Sequence, residues 1–167
     1  MQKKNGVDKF IFASTCSNYG ITDPNSYATE ESELNPVSLY AETKIDCEKY
    51  LSSISSKDFS AISLRFGTAY GLSFRTRFDL TVNSFAYEAL TDKRLVIFSS
   101  NTWRPYIHVL DMSKLILKVL DLEKVKINST IFNAGFTNQN LTKKNVAEIL
   151  KKKMPNLSLK YVPSSED

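Results

Sequence analysis

The chain has 167 residues, of which 42% are hydrophobic and 24% charged, and its formal net charge is +4 at pH 7. This length is enough for one domain with a sizeable core, and the composition is ordinary for a globular protein. No apolar run approaches the ~20 residues of a membrane span, the first ten residues lack the apolar core of a signal peptide, and the charge is too mild to indicate nucleic-acid binding.

The predicted elements of the first half alternate between strand and helix. Residues 9–14, KFIFAS, form a short apolar run that is typical of a buried strand, and a long polar loop then extends to about Ser38. Ser38 can cap a helix. We expect the buried face of this helix to carry the apolar positions Cys47, Tyr50, Leu51 and Ile54. Residues 59–66, FSAISLRF, are predicted to form a second strand, closed by Gly67 and Gly71.

The second half continues the alternation. A second apolar pattern with helical spacing consists of Phe78, Val82, Phe85, Ala86 and Ala89. The segments RLVIF, STIFNAG and LSLKYV are predicted strands, and Asp111 and Thr142 can cap two further helices. Strands that alternate with helices predict an α/β protein with a largely parallel sheet.

Tyr40 and Lys44 lie four residues apart in LYAETKIDCEKYL, residues 39–51. One such pair is expected by chance in a chain this rich in Tyr and Lys, so its meaning depends on its surroundings. On a helix the two side chains would share a face, and an ammonium near a phenol stabilises the phenolate that a general base requires. The loop after the first strand offers a third group, from Ser14, Thr15 or Ser17, at the strand end where active residues gather.

Four segments, FIFASTCSNYG, YAETK, LRFGTAYG and RPYIHVLD, give the chain a resemblance to the extended short-chain dehydrogenase/reductase family. Within that family the chain is similar to the NAD-dependent nucleotide-sugar epimerases and dehydratases. The segments fall in the family's order and spacing, and the resemblance covers nearly the whole chain. It implies NAD as the cofactor and a nucleotide-diphosphate sugar as the substrate. In the implied reaction NAD takes a hydride from the sugar C4 and returns it to the other face of the ketone.

The resemblance also implies roles for individual residues. Thr15 occupies the Ser/Thr position that binds the sugar hydroxyl, and Tyr40 is the catalytic base. Lys44 stabilises the Tyr40 phenolate and holds the nicotinamide ribose, so Tyr40 and Lys44 also belong to the cofactor site, together with Ser14.

The substrate site implied by the resemblance contains Thr15, Thr68 and Arg104. Arg104 matches the arginine that grips the sugar-nucleotide diphosphate, and a guanidinium fork suits diphosphate oxygens on chemical grounds as well. Thr68 stands where the family often has Asn. Hexose 4,6-dehydratases carry Asp-Glu directly after the threonine, where this chain has Cys16 and Ser17. Elimination is therefore not expected, and epimerisation or ketone reduction fits better.

Three features of the composition bear on alternative sites. Cys16 and Cys47 have neither metal-ligand nor disulfide spacing, which indicates a cytoplasmic protein without a metal site. Cys16 also lacks a neighbouring histidine, so we do not expect a thiol nucleophile. His108, the only histidine, is expected to pack and hydrogen-bond rather than to catalyse. The mild positive charge suits an anionic ligand such as a nucleotide diphosphate.

The family begins with a strand and a Gly-x-x-Gly-x-x-Gly loop that receives the NAD pyrophosphate. No three of the five glycines of this chain have that spacing. We therefore expect the C-terminal portion of a Rossmann-like parallel sheet plus a small substrate-binding α/β region, as part of a longer enzyme. Residues 1–75 would hold the catalytic motifs, and residues 76–167 would form the substrate-binding region, partly interleaved with the first.

Two functions remain open from the sequence. The first is an NAD-dependent nucleotide-sugar epimerase that is inactive as the isolated chain. It would act as a homodimer or in association with a separate NAD-binding half. The second is a non-catalytic remnant or subunit that at most binds nucleotide sugars. Retention of Thr15, Tyr40 and Lys44 favours the enzyme, whereas the missing glycine loop favours inactivity of the isolated chain.

Overall fold

The computed structural model describes residues 6–23, 26–123 and 128–163, and within these residues it is a mixed α/β protein, as predicted. The strands are β1 (Lys9–Thr15), β2 (Ser60–Phe66), β3 (Thr68–Tyr70), β4 (Arg94–Phe98), β5 (Trp103–His108), β6 (Ile131–Ala134), β7 (Asn140–Thr142) and β8 (Ser158–Val162). The α-helices are α1 (Leu39–Ile54), α2 (Thr81–Thr91), α3 (Val109–Asp121) and α4 (Lys143–Lys153). None of the described helices is long and apolar enough to cross a membrane.

The chain folds into two compact units. The first unit consists of Met1–Gly67 and Asp111–Ala134, and the second of Thr68–Leu110 and Gly135–Asp167. The division expected from the sequence gave residues 1–75 a catalytic role and residues 76–167 a substrate-binding role, and that functional division stays a prediction.

The first unit is built on a parallel sheet with the strand order β1-β2-β6. Thr15 at the end of β1 lies opposite Phe66 of β2, which in turn lies opposite Ala134 of β6, so all three strands end at the same edge. Every residue of the central strand β2 is buried. Its position between two strands explains the apolar run that predicted it.

Helix α1 begins after the N-cap predicted from the sequence, because the Ser38 hydroxyl accepts a hydrogen bond from the amide of Ala41. The predicted buried face is wrong in part, however. Leu51 and Ile54 are half-buried, but Cys47 and Tyr50 are exposed. The fully buried positions of the helix are Ala41, Ile45 and Glu48. Apolar periodicity missed this face because one of its three residues is a carboxylate, buried against a charged partner.

The long segment between β1 and α1 is fastened to the open edge of β6. The backbone amide of Asn133 donates to the Glu30 carboxylate over 2.6 Å, and the Asn133 side-chain amide donates to the carbonyl of Ala28 over 3.3 Å. These bonds occupy polar groups at the edge of β6 that would otherwise be left unpaired. On the other side of the sheet, β1 pairs with β2 alone among the described strands.

The second unit contains two small sheets rather than one largely parallel sheet. In the first, β5 pairs parallel to β3 and antiparallel to β7, and in the second β4 pairs parallel to β8. Helices α2 and α4 contact β4 and each other. The buried core of the unit consists of Phe85, Ala89, Leu95, Ile97, Tyr106, Val146, Ala147 and Leu157.

Element boundaries in the second half differ from the prediction at two places, the starts of α2 and α3. Helix α3 begins at Val109, so Asp111 lies in its first turn instead of capping it, where a carboxylate favours the positive end of the helix dipole. Helix α2 begins at Thr81, so Phe78, which was expected on its apolar face, lies before the helix and is exposed.

Strand β2 ends at Phe66, directly before Gly67, as predicted, and β3 is a separate strand in another sheet. Strand β3 ends at Tyr70, directly before Gly71, whose φ of +112° and close approach to His108 exclude a side chain. The N-cap of α4 at Thr142 is confirmed, with a reciprocal capping box to Asn145.

Candidate active site

The carboxyl end of β1 carries Ser14 and Thr15, and both side chains are buried. The Thr15 hydroxyl oxygen accepts a hydrogen bond from the amide of Ser17 over 3.1 Å and so caps the short 3-10 helix Cys16–Tyr19. A threonine hydroxyl that accepts in this way still has its own proton to donate. Thr15 is therefore held in a fixed position with a donor available.

Tyr40 and Lys44 lie in the first two turns of α1. The Lys44 ammonium donates to the carbonyl of Ala13 on β1 over 2.8 Å, and it lies 5.7 Å from the centre of the Tyr40 ring and 4.6 Å from that of Phe12. The Tyr40 side chain is 55% exposed. Among the described residues the carbonyl of Ala13 takes one of the three N–H donors of Lys44, which leaves two for a ligand.

A buried polar cluster lies below this edge of the sheet. The Glu48 carboxylate is 3% exposed and the Arg65 guanidinium 2% exposed, and the two form a forked ion pair. The N–O distances of this pair are 3.0 Å from Nε to Oε1 and 2.6 Å from Nη2 to Oε2. The Ser14 hydroxyl donates to Glu48 over 2.5 Å, and the side-chain amide of Asn18 donates to both Ser14 and Glu48.

Arg65 also organises the region around Tyr19. Its Nη1 donates to the Tyr19 hydroxyl over 2.9 Å, and that hydroxyl donates to the Asn133 side chain over 2.7 Å. Burial lowers the pKa of Arg65, but its hydrogen bonds to Glu48 and Tyr19 outweigh that effect and the net change is upward. Burial raises the pKa of Tyr19. Both groups therefore keep their protons throughout the ordinary pH range.

Cys16 follows Thr15 directly and is a poor nucleophile. Its thiol donates to the backbone carbonyl of Arg65 over 3.1 Å. Burial, partly opposed by the charge of Arg65, raises the pKa of the Cys16 thiol from 9.0 to about 11. Only a thiolate attacks readily, so the expectation that Cys16 is not a thiol nucleophile is supported.

The first unit thus brings together Ser14, Thr15, Tyr40 and Lys44, whereas the other two predicted site residues lie in the second unit. Thr68 on β3 pairs with Tyr106 of β5, two residues beyond Arg104 on the same strand. The Arg104 side chain is exposed, and among the described residues its one hydrogen bond, of 3.3 Å, goes to the carbonyl of Trp103. Most of the donors of this guanidinium are therefore available to a ligand.

His108 has a structural role, as the sequence indicated. Its Nδ1 accepts a hydrogen bond from the amide of Leu110 over 3.2 Å, and its ring packs edge-on against Tyr70 at 5.2 Å between centres. In the part of the chain that the structure describes, no cluster of three or more His, Cys, Asp and Glu residues could hold a metal ion.

The buried cluster was not predicted from the sequence. Two signals could have indicated it. Glu48 lies four residues after Lys44, on the same helix as the Tyr-Lys pair, and Arg65 is the only charge in an otherwise apolar and hydroxyl-bearing strand. A lone arginine in a central strand requires a buried partner of opposite charge.

Comparison with protein families gives one match that covers most of the chain. Residues 1–135 match the model of the NAD dependent epimerase/dehydratase family. Among characterised proteins, UDP-glucose 4-epimerase of Rhizobium meliloti (strain 1021) is 28% identical over 164 residues, which cover 88% of this chain and 49% of that protein.

Solved structures show the same fold. MoeE5 in complex with UDP-glucuronic acid and NAD is 23% identical with a TM-score of 0.82, over 98% of this chain and 53% of that one. The UDP-glucose 4-epimerase of Thermus thermophilus in complex with NAD is 25% identical with a TM-score of 0.76, over 96% of this chain and 53% of that one. The chain therefore spans about half the length of these relatives.

Proposed function

Because the chain belongs to the NAD dependent epimerase/dehydratase family, we propose that it carries the catalytic residues of a nucleotide-sugar epimerase that inverts a sugar carbon, C4 in the first instance. One observation carries this proposal. The Lys44 ammonium is anchored to the carbonyl of Ala13, 5.7 Å from the centre of the Tyr40 ring, on the strand that ends in the buried Thr15. A base, the cation that supports it and a hydroxyl donor are thus tied to one strand end.

In the proposed reaction Tyr40 moves the proton of the sugar hydroxyl. Its phenolate oxygen takes the proton from the hydroxyl while the carbon becomes a ketone, and it returns the proton to the same oxygen when the carbon is reduced again. Lys44 stabilises the phenolate form of Tyr40 between these two transfers. Thr15 donates a hydrogen bond to the sugar oxygen and fixes its distance from Tyr40.

The residues of the first unit fit the nicotinamide end of NAD, which when bound supplies the hydride acceptor and donor of the reaction. Two N–H groups of Lys44 remain to bind ribose hydroxyls, and Tyr40 is exposed beside them. Ser14 fits less well than expected, because its buried hydroxyl already donates to Glu48 and accepts from Asn18. We assign the NAD contact to Tyr40 and Lys44, and Ser14 to the support of this strand end.

We propose that residues outside these 167 bind the NAD pyrophosphate. No three of the five glycines have the spacing of a pyrophosphate loop. The sheet order supports a place for such residues, since β1 pairs only with β2 among the described strands and can accept another strand at its open edge. The added strand would come from the same polypeptide or from a separate NAD-binding half.

For the substrate we propose a uridine diphosphate sugar, the class named for the characterised relative and for the ligands of MoeE5. The exposed guanidinium of Arg104 would bind the diphosphate as a fork, and Thr68 on the neighbouring strand would contribute a hydroxyl.

Dehydration is the disfavoured chemistry. The position directly after Thr15 needs an acid to protonate a leaving hydroxyl, and here it is Cys16, whose thiol donates to the carbonyl of Arg65 and whose pKa is raised to about 11. A thiol of that pKa protonates a leaving group poorly. Within the family we therefore place epimerisation first and reduction of a ketone second.

The test is to incubate the protein, together with the residues that complete its NAD site, with NAD and UDP-glucose deuterated at C4. Proton NMR of the anomeric region follows the sugar. An epimerase forms the C4-inverted sugar with the deuterium still at C4. Accumulation of reduced cofactor in step with a 4-keto sugar would mean a reductase running in reverse instead. Binding of UDP-glucose without any change in the sugar would favour the non-catalytic alternative.

A further inference from the structure

The buried cluster around Glu48 connects the elements that carry the proposed catalytic groups. Glu48 lies on α1 one turn after Lys44, and Ser14 directly precedes Thr15 on β1. The Ser14 hydroxyl donates to Glu48 over 2.5 Å, and the Asn18 side chain adds a second bond, of 3.0 Å, from the loop that follows Thr15. The helix and the strand end are therefore joined through one carboxylate.

Arg65 fixes that carboxylate from the central strand. Its Nε and Nη2 bond to both oxygens of Glu48, and its Nη1 reaches the Tyr19 hydroxyl at the far end of the same loop. Glu48 thus accepts from three side chains, each of which is buried. The partners of this carboxylate lie on β1, β2 and the loop. All of these hydrogen bonds can therefore form at only one rotation of α1 about its axis.

Stability alone is a weak explanation for such a pair. Removing two charges from water is costly, and well-packed apolar residues of similar volume often replace a buried ion pair without loss of stability. A forked guanidinium–carboxylate contact fixes both the distance and the angle between the two elements that it joins. Apolar residues do not fix this relative orientation. The orientation of α1 matters because Tyr40 and Lys44 project from this helix.

We propose that Glu48 and Arg65 are positioning residues that hold the Tyr40–Lys44 helix and the Thr15 loop in the geometry that catalysis needs. This inference rests on the proposed function, since the geometry matters only if Tyr40 and Thr15 act on one substrate oxygen. Neither residue of the pair touches the substrate. A displacement of about 1 Å at a reacting group can reduce turnover by about 10²-fold.

The first test measures the loop without any ligand. In a Cys47→Ser background Cys16 is the one remaining thiol, and its hydrogen bond to the carbonyl of Arg65 makes it a reporter of the loop. Glu48→Gln keeps the shape of the side chain and removes its charge. We expect the reaction of Cys16 with Ellman's reagent to become about tenfold faster or more, because protection reflects local opening. Glu42→Gln, an exposed change on the same helix, should leave the rate unchanged.

The second test separates positioning from stability. The double variant Glu48→Met with Arg65→Met leaves no unpaired charge, so we expect a thermal midpoint near that of the parent chain. Cys16 should nevertheless react fast. In the loaded enzyme, which is the protein with its NAD site completed and NAD bound, kcat should fall by about 10²-fold. The affinity for UDP-glucose should change little. Recovery of slow Cys16 reaction and full turnover in this variant would overturn the proposal.

A milder variant covers the case in which neither change yields a folded chain. Asn18→Ala keeps the ion pair and removes only the hydrogen bonds from the loop to Ser14 and Glu48. Faster reaction of Cys16 supports the proposal, and an unchanged rate contradicts it. The thiol measurement needs neither NAD nor sugar, so it stands even if Tyr40→Phe retains turnover, which is the result that would defeat the proposed function instead.

Discussion

The Cys16 thiol predicts an alkaline loss of stability that can be worked out from the structure. Burial raises its pKa from 9.0 to about 11, the charge of Arg65 opposes this change and the charge of Glu30 adds to it. The folded chain therefore binds the proton more tightly than the unfolded chain. The corresponding stability is present in full below pH 9 and is lost as the pH rises to about 11. Two pH units correspond to about 3 kcal/mol at most, and partial exposure of the residue reduces this figure.

The assay is urea unfolding of the purified chain, followed by circular dichroism at pH 8, 9.5 and 11. Cys16→Ser is the matched variant, because a serine hydroxyl can keep the hydrogen bond to the carbonyl of Arg65 but does not ionise in this range. Lysines and tyrosines also titrate, but they do so in both chains. We expect the parent chain to lose about 2 kcal/mol more than the variant between pH 8 and pH 11. Parallel loss in the two chains would show that ionisation of Cys16 does not cause the alkaline loss of stability. Cys47→Ser, at an exposed position, should follow the parent.

Three further predictions concern the ligand, the loop and the chain as a whole. Arg104→Ala should weaken the binding of UDP by about tenfold or more in calorimetry, because a charge-assisted hydrogen bond is lost. Arg94→Ala, a change at an exposed arginine, should leave the affinity unchanged. Equal affinities of the two variants would mean that Arg104 does not contact the diphosphate. Gly20→Ala should lower the free energy of unfolding by more than about 2 kcal/mol, because φ is +67° and the new Cβ would lie on the carbonyl of Asn35, whereas Gly135→Ala meets nothing within 4 Å. Equal urea midpoints for these two glycine variants would contradict that account. The 167-residue chain alone should show no micromolar affinity for NAD and should self-associate through β1 in sedimentation, and a monomer that binds NAD tightly would disprove both expectations.

The elements that local chemistry determines were predictable from the sequence. Ser38 and Thr142 cap helices because their hydroxyls accept hydrogen bonds from free amides of the first turn. Such capping residues can be recognised in the sequence. The strands β1 and β2 were predicted from short apolar runs, since both are paired within a parallel sheet. The family resemblance rested on segments at strand ends and helix starts, and the match over residues 1–135 confirms it.

What the sequence could not predict depends on contacts between distant segments. The buried face of α1 includes Glu48, and only the pairing with Arg65, seventeen positions away, makes that burial tolerable. A periodicity count treats a glutamate as a solvent-facing residue and selects Cys47 and Tyr50 instead. In the same way, the sequence alone leaves the Ser14 hydroxyl available for a ligand. In the structure this hydroxyl is hydrogen-bonded to Glu48 and Asn18.

The arrangement of Thr15, Tyr40 and Lys44 was predictable from the sequence only in part. The spacing of Tyr40 and Lys44 is legible on a helix, but the bond from Lys44 to Ala13 joins two segments that are far apart in the chain. That bond turns a pair common by chance into a fixed arrangement at the end of β1. The proposed function requires this arrangement to act on a sugar hydroxyl.

The most direct measurement of that claim compares Tyr40→Phe with Tyr50→Phe in the loaded enzyme. Both changes remove one hydroxyl from an exposed tyrosine of α1, and only Tyr40 has the Lys44 ammonium beside its ring. We expect Tyr40→Phe to abolish turnover of UDP-glucose while its affinity for the nucleotide sugar is retained, because the hydroxyl carries the proton and the ring only packs. Tyr50→Phe should turn over at the parent rate. Near-parental turnover by Tyr40→Phe would contradict the account and remove Tyr40 from the mechanism.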